Sequence, residues 1–219
     1  MRVLVLLGPP GAGKGTQAAI LARELGILHL ASGDLFRAEI RTGSALGREA
    51  KSFLDRGALV PDDLTVRMIM GRLGQPDAQG GVVLDGFPRT RPQAEALDEA
   101  LAARGARVEH AVYLDVPNDA LVRRLAGRWI CPQGHVYNAL ANPPRLEGVC
   151  DVDGTRLVQR EDDRPETVRE RLTRQLAPLY EVVDHYRDRG ILSVIDATRS
   201  IHEVSHEILR LLRVGDRAA

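Results

Sequence analysis

Five apolar runs bounded by turn residues recur along the chain, at 2–7, 27–31, 81–85, 110–115 and 191–195. They are continuously apolar rather than alternating, the pattern of strands buried on both faces. Between them the apolar positions change to helical spacing, over 15–25, 62–74, 91–104, 118–127, 165–188 and 201–213. Strands separated by helices predict an α/β fold, with a five-stranded parallel sheet covered on both sides to give three layers. Two segments break the rhythm. Residues 32–60 read as a helical insertion between the second and third strands. Residues 128–164 have no helical period and many turn residues, Asn142-Pro143-Pro144 and Gly148 among them, and read as a small β-rich lobe. The predicted organisation is a core of 1–31, 61–127 and 165–219 with inserted covers at 32–60 and 128–164.

In an open parallel sheet, ligands gather beyond the strand C-termini, so the residues that follow each strand are the place to look for chemistry. After the first strand comes Gly8-Pro9-Pro10-Gly11-Ala12-Gly13-Lys14-Gly15-Thr16. The spacing Gly8-x4-Gly13-Lys14 is that of a P-loop. Its glycines let backbone N–H groups converge on phosphate oxygens, the following helix points its positive end at them, and the lysine reaches the outer phosphates. The hydroxyl residue expected after the lysine is Gly15 here, with Thr16 one place later.

Composition strengthens this reading. The thirty basic residues include only two lysines, Lys14 and Lys51, and all the others are arginine. Lysine is retained in the loop, where a compact ammonium fits and a planar guanidinium would crowd the phosphates. The second strand leads to Ser32-Gly33-Asp34-Leu35-Phe36-Arg37, and the third to Gly86-Phe87-Pro88-Arg89-Thr90. The fourth leads through Pro117 into a helix ending near Arg123, Arg124 and Arg128. Three strand ends thus each deliver arginine toward one site.

Thirty acidic residues balance the bases, so no net field argues for nucleic acid or a membrane surface. The N-terminal apolar run is far shorter than a signal h-region or a membrane span. Two cysteines, Cys131 and Cys150, are too few for a disulfide framework. The expectation is a soluble, cytoplasmic monomer with small-molecule substrates.

Three motifs, Gly-Pro-Pro-Gly-Ala-Gly-Lys-Gly-Thr (8–16), Ser-Gly-Asp-Leu-Phe-Arg (32–37) and Asp-Gly-Phe-Pro-Arg-Thr-x-x-Gln (85–93), occur in this order. Together they resemble adenylate kinase. The lobe, with Val136-Tyr137, Asn142-Pro143-Pro144 and Arg160-x-Asp162-Asp163, is similar to that of the long bacterial-type variant. The resemblance runs from about residue 1 to residue 213 and implies Mg²⁺-dependent reversible phosphoryl transfer from ATP to AMP, giving two ADP.

The resemblance also assigns residues. It implies that Gly11, Ala12, Gly13, Lys14, Gly15 and Thr16 hold the ATP phosphates, and that Arg124, Val136, Tyr137 and the backbone at Arg199 border its base. Arg37 and Arg89 would hold the AMP phosphate. Ser32, Ala58, Leu59, Val60, Gly86, Phe87 and Pro88 would complete that pocket, and Gln93 would read the adenine edge. Arg128, Arg160 and Arg171 would close on the transferring group, the last two also reaching AMP. Asp85 would orient Mg²⁺ through water, with Asp34 a second candidate, and Gly127 and Pro165 would act as hinges. The acceptor phosphate is already an oxyanion, so the chemistry needs positioning and charge neutralisation rather than a general base.

Gln93 favours adenine over a UMP/CMP-type acceptor. A GTP:AMP phosphotransferase, or a non-catalytic P-loop nucleotide-binding protein, would share the same phosphate loop. In the lobe, the resemblance places Cys131, Cys150 and Asp153 at positions of the family's zinc frame, whose second cysteine is missing and whose first knuckle is one residue short. His135, four residues after Cys131 and without precedent in that frame, is the nearby group to supply a fourth ligand for structural Zn²⁺. A contrasting reading makes the cysteines buried small hydrophobes. Trp129 is expected to pack within the lobe, and the remaining histidines, including His29 and His185, to be structural or surface groups.

Overall fold

The computed structural model describes residues 1–54, 60–139, 141–159 and 165–215, without the side chains of 54, 165–171 and 213–215. The chain opens with β1 (Arg2–Leu7), α1 (Lys14–Leu25) and β2 (Leu28–Ala31), then α2 (Ser32–Thr42) and α3 (Ala45–Leu54). It continues through α4 (Asp62–Leu73), β3 (Val82–Asp85), α5 (Arg91–Ala102), β4 (Arg107–Asp115) and α6 (Asn118–Ala126). A small lobe carries β5 (Arg128–Ile130) and β6 (Val136–Asn138), and the chain returns through α7 (Pro165–Asp188), β7 (Leu192–Asp196) and α8 (Ile201–Gly215).

The five-stranded sheet has the order β2-β3-β1-β4-β7, and every neighbouring pair is parallel. Side chains alternate across the sheet. Val3, Val5 and Leu7 of central β1 join one buried cluster with Leu64 and Met68 of α4, Leu97 of α5, and Val182 and Tyr186 of α7. Leu4 and Leu6 join the opposite cluster with Leu21 of α1, Leu125 of α6 and Ile208 of α8. A run apolar at every position is what a strand between two helical layers requires.

β4 begins three residues before the apolar run that predicts it, at Arg107 rather than residue 110. The extension is polar at alternate positions and is held by pairing of Arg2 with Arg107 and by the Arg2–Glu109 ion pair at 2.9 Å. The insertion after β2 is helical as expected. The lobe holds less regular strand than its turn-rich sequence suggests: β5 and β6 pair antiparallel over three residues each, and the described bridges Ile130–Val158, Asn138–Asn142 and Val149–Arg156 are isolated. Its own small core consists of Cys131, Tyr137, Cys150 and Leu157. Trp129 corrects an expectation. It is 39% exposed, and that core closes without it.

Candidate active site

Parallel strands bring the loops after β1, β2, β3 and β4 to one edge of the sheet. The loop after β1 turns through Gly11 and Gly13, with φ of +86° and +99°, conformations that L side chains rarely adopt. Gly11 must also lie close to α6: a Cβ there would stand 2.9 Å from Leu125 Cγ and 3.2 Å from the Leu121 carbonyl oxygen. Gly13 caps α1, whose first-turn N–H groups have no intrahelical acceptor and face the loop. The Lys14 ammonium folds over the loop and donates to the carbonyl oxygens of Gly8 at 2.7 Å and Pro9 at 3.1 Å.

Asp85 ends β3 beside this loop. A Cβ on Gly15 would lie 3.3 Å from Asp85 Oδ2, so the carboxylate occupies space that a larger residue after the lysine would enter. His29 Nε2 lies 3.4 Å from the same oxygen, and the Asp85 side chain is 15% exposed. Burial is the largest single influence on the Asp85 carboxyl and pushes it up, but the His29 hydrogen bond with the Lys14, His29 and Arg89 charges outweighs it. The net effect holds the carboxyl below its ordinary value of 3.8.

A polar network continues onto the loop after β3. Gly86 has φ +73°; its carbonyl accepts from Ser32 Oγ at 2.7 Å and from Arg89 Nε at 2.7 Å. Phe87 and Pro88 are buried, joined by a cis peptide. Arg37 pairs with Asp34 on the exposed face of α2. Thr90 caps α5 by accepting from the Gln93 N–H at 3.3 Å. The Gln93 amide accepts from the Arg89 N–H at 2.8 Å and donates to Asp62 Oδ1 at 2.7 Å. Thr90 Oγ1 donates to the other Asp62 oxygen at 3.0 Å.

On the far side of the loop, Arg124 donates to the Ala197 carbonyl at 2.8 Å, and burial lowers its guanidinium pKa with partial relief from Asp196. Arg199 Nε donates to the Asp196 carbonyl at 3.1 Å, and its guanidinium pairs with Glu207, which raises its pKa. Arg124 and Arg199 therefore share one loop, Asp196–Arg199.

In the lobe, Cys131 Sγ lies 3.2 Å from His135 Nδ1 and 3.3 Å from Asp153 Oδ2; His135 Nδ1 lies 3.2 Å from Asp153 Oδ2 and 3.4 Å from Cys150 Sγ. The four ligand atoms all fall within 4.8 Å of one another. The backbone N–H of His135 donates to Cys131 Sγ at 3.3 Å, and Tyr137 Oη lies 3.5 Å from Cys150 Sγ. Thr155 donates to Asp153 Oδ1 through its N–H at 2.9 Å and its hydroxyl at 2.5 Å, which leaves Oδ2 turned to the cluster. Those two bonds hold the Asp153 carboxyl far below the usual carboxylate range.

The structure thus brings Lys14, Ser32, Asp85, Gly86, Arg89 and Gln93 together at one edge of the sheet, and puts Arg128 at the entry to the lobe. Ala58, Leu59 and Arg160 lie outside the described residues; Arg171 falls in α7, with its side chain outside them. Tyr137 offers no ring to a nucleotide base, because its side chain is buried in the lobe core and its hydroxyl also accepts from the Asp151 N–H at 2.8 Å. Two residues that bond to this network were not expected from sequence. Asp62 and His29 carry no motif of their own, and each meets its partner only through the fold, 31 and 56 residues away.

A P-loop on a five-stranded parallel sheet, with arginines arriving from neighbouring strand ends and two insertions, one helical and one a small lobe, defines a nucleotide kinase of the P-loop class. The adenylate kinase family matches residues 6–191. The chain is 48% identical to an adenylate kinase of Streptomyces avermitilis over 215 residues, 97% of this chain and 98% of the relative. It is also 48% identical to one of Exiguobacterium sibiricum over 95% and 98% of the two chains, and 47% identical to one of Streptomyces coelicolor over 96% and 98%. The chain belongs to the adenylate kinase family, the ATP:AMP phosphotransferases.

Proposed function

We propose that ATP binds with its phosphates on the loop Gly11–Thr16, that AMP binds between α2, α4 and the loop after β3, and that the covers at 32–60 and 128–164 close over a core of 1–31, 61–127 and 165–219. The bonds of Lys14 to its own loop support this reading: the ammonium is held at the mouth of the P-loop on weak carbonyl acceptors that a phosphate oxygen would displace. Arg89, anchored on Gly86 by Nε, would hold the AMP phosphate, with Arg37 beside it. An oxygen of that phosphate attacks the γ-phosphorus in line, the β–γ bridging bond breaks, and ADP leaves with the electron pair. Arg128, Arg160 and Arg171 neutralise the charge that spreads over the transferring group. Exclusion of water by the closed covers keeps transfer to AMP ahead of hydrolysis.

Asp85 fits Mg²⁺ held through water: its carboxylate stays ionised beside Lys14, and the missing Cβ of Gly15 leaves room at its Oδ2. The ion neutralises phosphate charge when bound. Cys131, His135, Cys150 and Asp153 fit Zn²⁺. Tetrahedral thiolate and imidazole ligands stand about 3.3–3.8 Å apart around zinc; four of the pairs here stand 3.2–3.4 Å apart, and all four ligand atoms lie within 4.8 Å of one another. Gln93 would read the adenine of AMP, Arg124, Val136 and the backbones at Tyr137 and Arg199 would border that of ATP, and Ala58, Leu59 and Val60 would complete the acceptor pocket. The protein works as a cytoplasmic monomer. Its charges balance, and none of its described helices is long and apolar enough to cross a membrane.

ATP formation from ADP alone is the direct test, with Lys14→Met as control. The variant is expected to lose transfer while its thermal unfolding stays that of the parent, because the ammonium counters charge and packs little. Turnover surviving in Lys14→Met removes this lysine from the mechanism, and UMP or CMP accepted as well as AMP overturns the acceptor assignment.

A further inference from the structure

A glutamine that reads a base is only as selective as its amide orientation is fixed. The side-chain amide is close to symmetric in shape, and a half-turn exchanges donor and acceptor. The Watson–Crick edge of adenine offers an N6–H donor beside the N1 acceptor, whereas a 6-oxopurine offers an O6 acceptor beside an N1–H donor. An amide free to turn would therefore serve both. Gln93 is 6% exposed, and its two described partners are of fixed and opposite polarity. The backbone N–H of Arg89, 2.8 Å from Oε1, can only donate. The Asp62 carboxylate, 2.7 Å from Nε2, can only accept. A half-turn would set donor against donor and acceptor against acceptor in a buried setting, where unpaired polar groups cost most. The orientation thus follows from the partners' chemistry and needs no choice between similar atoms.

We infer that Asp62 is a positioning residue for acceptor-base selection: by locking the Gln93 amide it makes the pocket read adenine and reject 6-oxopurine monophosphates, without itself touching the nucleotide. The inference rests on the reading of Gln93 as the base-contacting residue. The amide has two N–H donors and two lone pairs. With one of each used, one N–H and one lone pair remain, the types that adenine N1 and N6–H need. Asp62 is itself held. It opens α4, its Oδ2 accepts from Thr90 Oγ1 at 3.0 Å, and Thr90 caps the helix that carries Gln93. The lock therefore ties α4 to α5 across the acceptor pocket.

The test compares kcat/KM for AMP and for inosine monophosphate, with ATP as donor. In Asp62→Asn the new amide can present either a carbonyl or an NH₂, so the lock loosens at constant shape. The AMP-to-inosinate ratio is expected to fall about tenfold, within the range of one paired base contact. It should fall through a higher KM for AMP and better use of inosinate, with KM for ATP and kcat at saturating AMP unchanged. Asp62→Glu, still an acceptor-only carboxylate, is expected to keep most of the ratio. If Asp62→Asn proves too unstable to assay, Thr90→Val, which frees the second Asp62 oxygen, is expected to move the ratio the same way by a smaller factor. An unchanged ratio in Asp62→Asn, or an equal loss for both acceptors, overturns the inference. Gln93→Ala separates the two ideas. A wild-type ratio in that variant ends the base reading itself, whereas a collapsed ratio there beside an unchanged one in Asp62→Asn ends only the role of Asp62.

Discussion

Asp85 receives His29 from β2, Lys14 from the P-loop and the charge of Arg89 from the following turn. Its carboxyl is held below 3.8, so the folded protein gives up this proton more readily than the unfolded chain does. The sign follows by linkage: ionised Asp85 contributes stability above its unfolded value, and that contribution is lost as pH falls through the lower folded value. Asp85→Asn keeps the shape and removes the titration. Denaturant midpoints measured from about pH 6 to about pH 3 are expected to fall more steeply in the parent than in the variant, with the divergence below about pH 4. Parallel curves would mean that burial, the largest opposing influence, cancels the gain. Chemistry at Asp85 was legible in the sequence because it ends an apolar run and opens a recognisable motif. The role of His29 was not. It reads as one of several unassigned histidines, and only strand order β2-β3 sets it against a carboxylate 56 residues later. Asp62 escaped for the same reason, since a contact across two helix N-termini has no sequence spacing.

Among elements, the strands with apolar residues at every position were legible almost to their ends, because burial on both faces leaves no polar position to blur them. β4 was cut short where only one face is apolar, at Arg107–Glu109. The P-loop was legible as a pattern, but the two reasons for its glycines separate only in the structure. Gly11 has both φ +86° and α6 pressed against it at 2.9 Å, whereas Gly13 has φ +99° with nothing within 4 Å of a built Cβ. Gly13→Ala should carry the conformational strain alone, about 1–3 kcal/mol. Gly11→Ala adds a clash with Leu125 and the Leu121 carbonyl, which pushes the loop away from α6. Gly11→Ala is therefore expected to lower thermal stability more than Gly13→Ala and to raise KM for ATP more than KM for AMP. Melting curves and substrate titrations of both variants check the order. Equal losses would show that the approach to α6 relaxes at no cost.

At the scale of the molecule, the described core divides into three apolar clusters: two large ones flanking the sheet, and a third of Cys131, Tyr137, Cys150 and Leu157 confined to the lobe. The third is far too small to hold a fold by burial alone, since small units of this kind depend on disulfides or metals. Its two cysteines are free thiols, and they converge with His135 and Asp153 instead of with each other alone. Among the described residues, polar contacts join the lobe to the rest, including Asn138 Nδ2 to the Arg124 carbonyl at 2.9 Å and Gln159 Nε2 to the Ala126 carbonyl at 2.8 Å. Metal bound at the cluster should therefore stabilise the lobe without being needed by the sheet. Chelation is expected to release about one zinc per chain and to speed backbone hydrogen exchange over 128–159 while β1, β3 and β4 stay protected. Thermal unfolding should then split into an early lobe transition and a later core transition. Phosphoryl transfer should fall with the first transition, because Arg128 is carried by the lobe, while AMP still binds, because Ser32, Arg89 and Gln93 all lie outside the lobe. Cys150→Ser should reproduce this pattern without chelator, since Cys150 touches both His135 and Tyr137. A purified chain without zinc, whose exchange and melting are indifferent to chelator, would leave the cluster as a packed polar knot and return the lobe's stability to its hydrogen bonds. A single cooperative transition that moves as a whole on metal loss would instead show that the lobe and the sheet fold as one unit, against the separation of their cores.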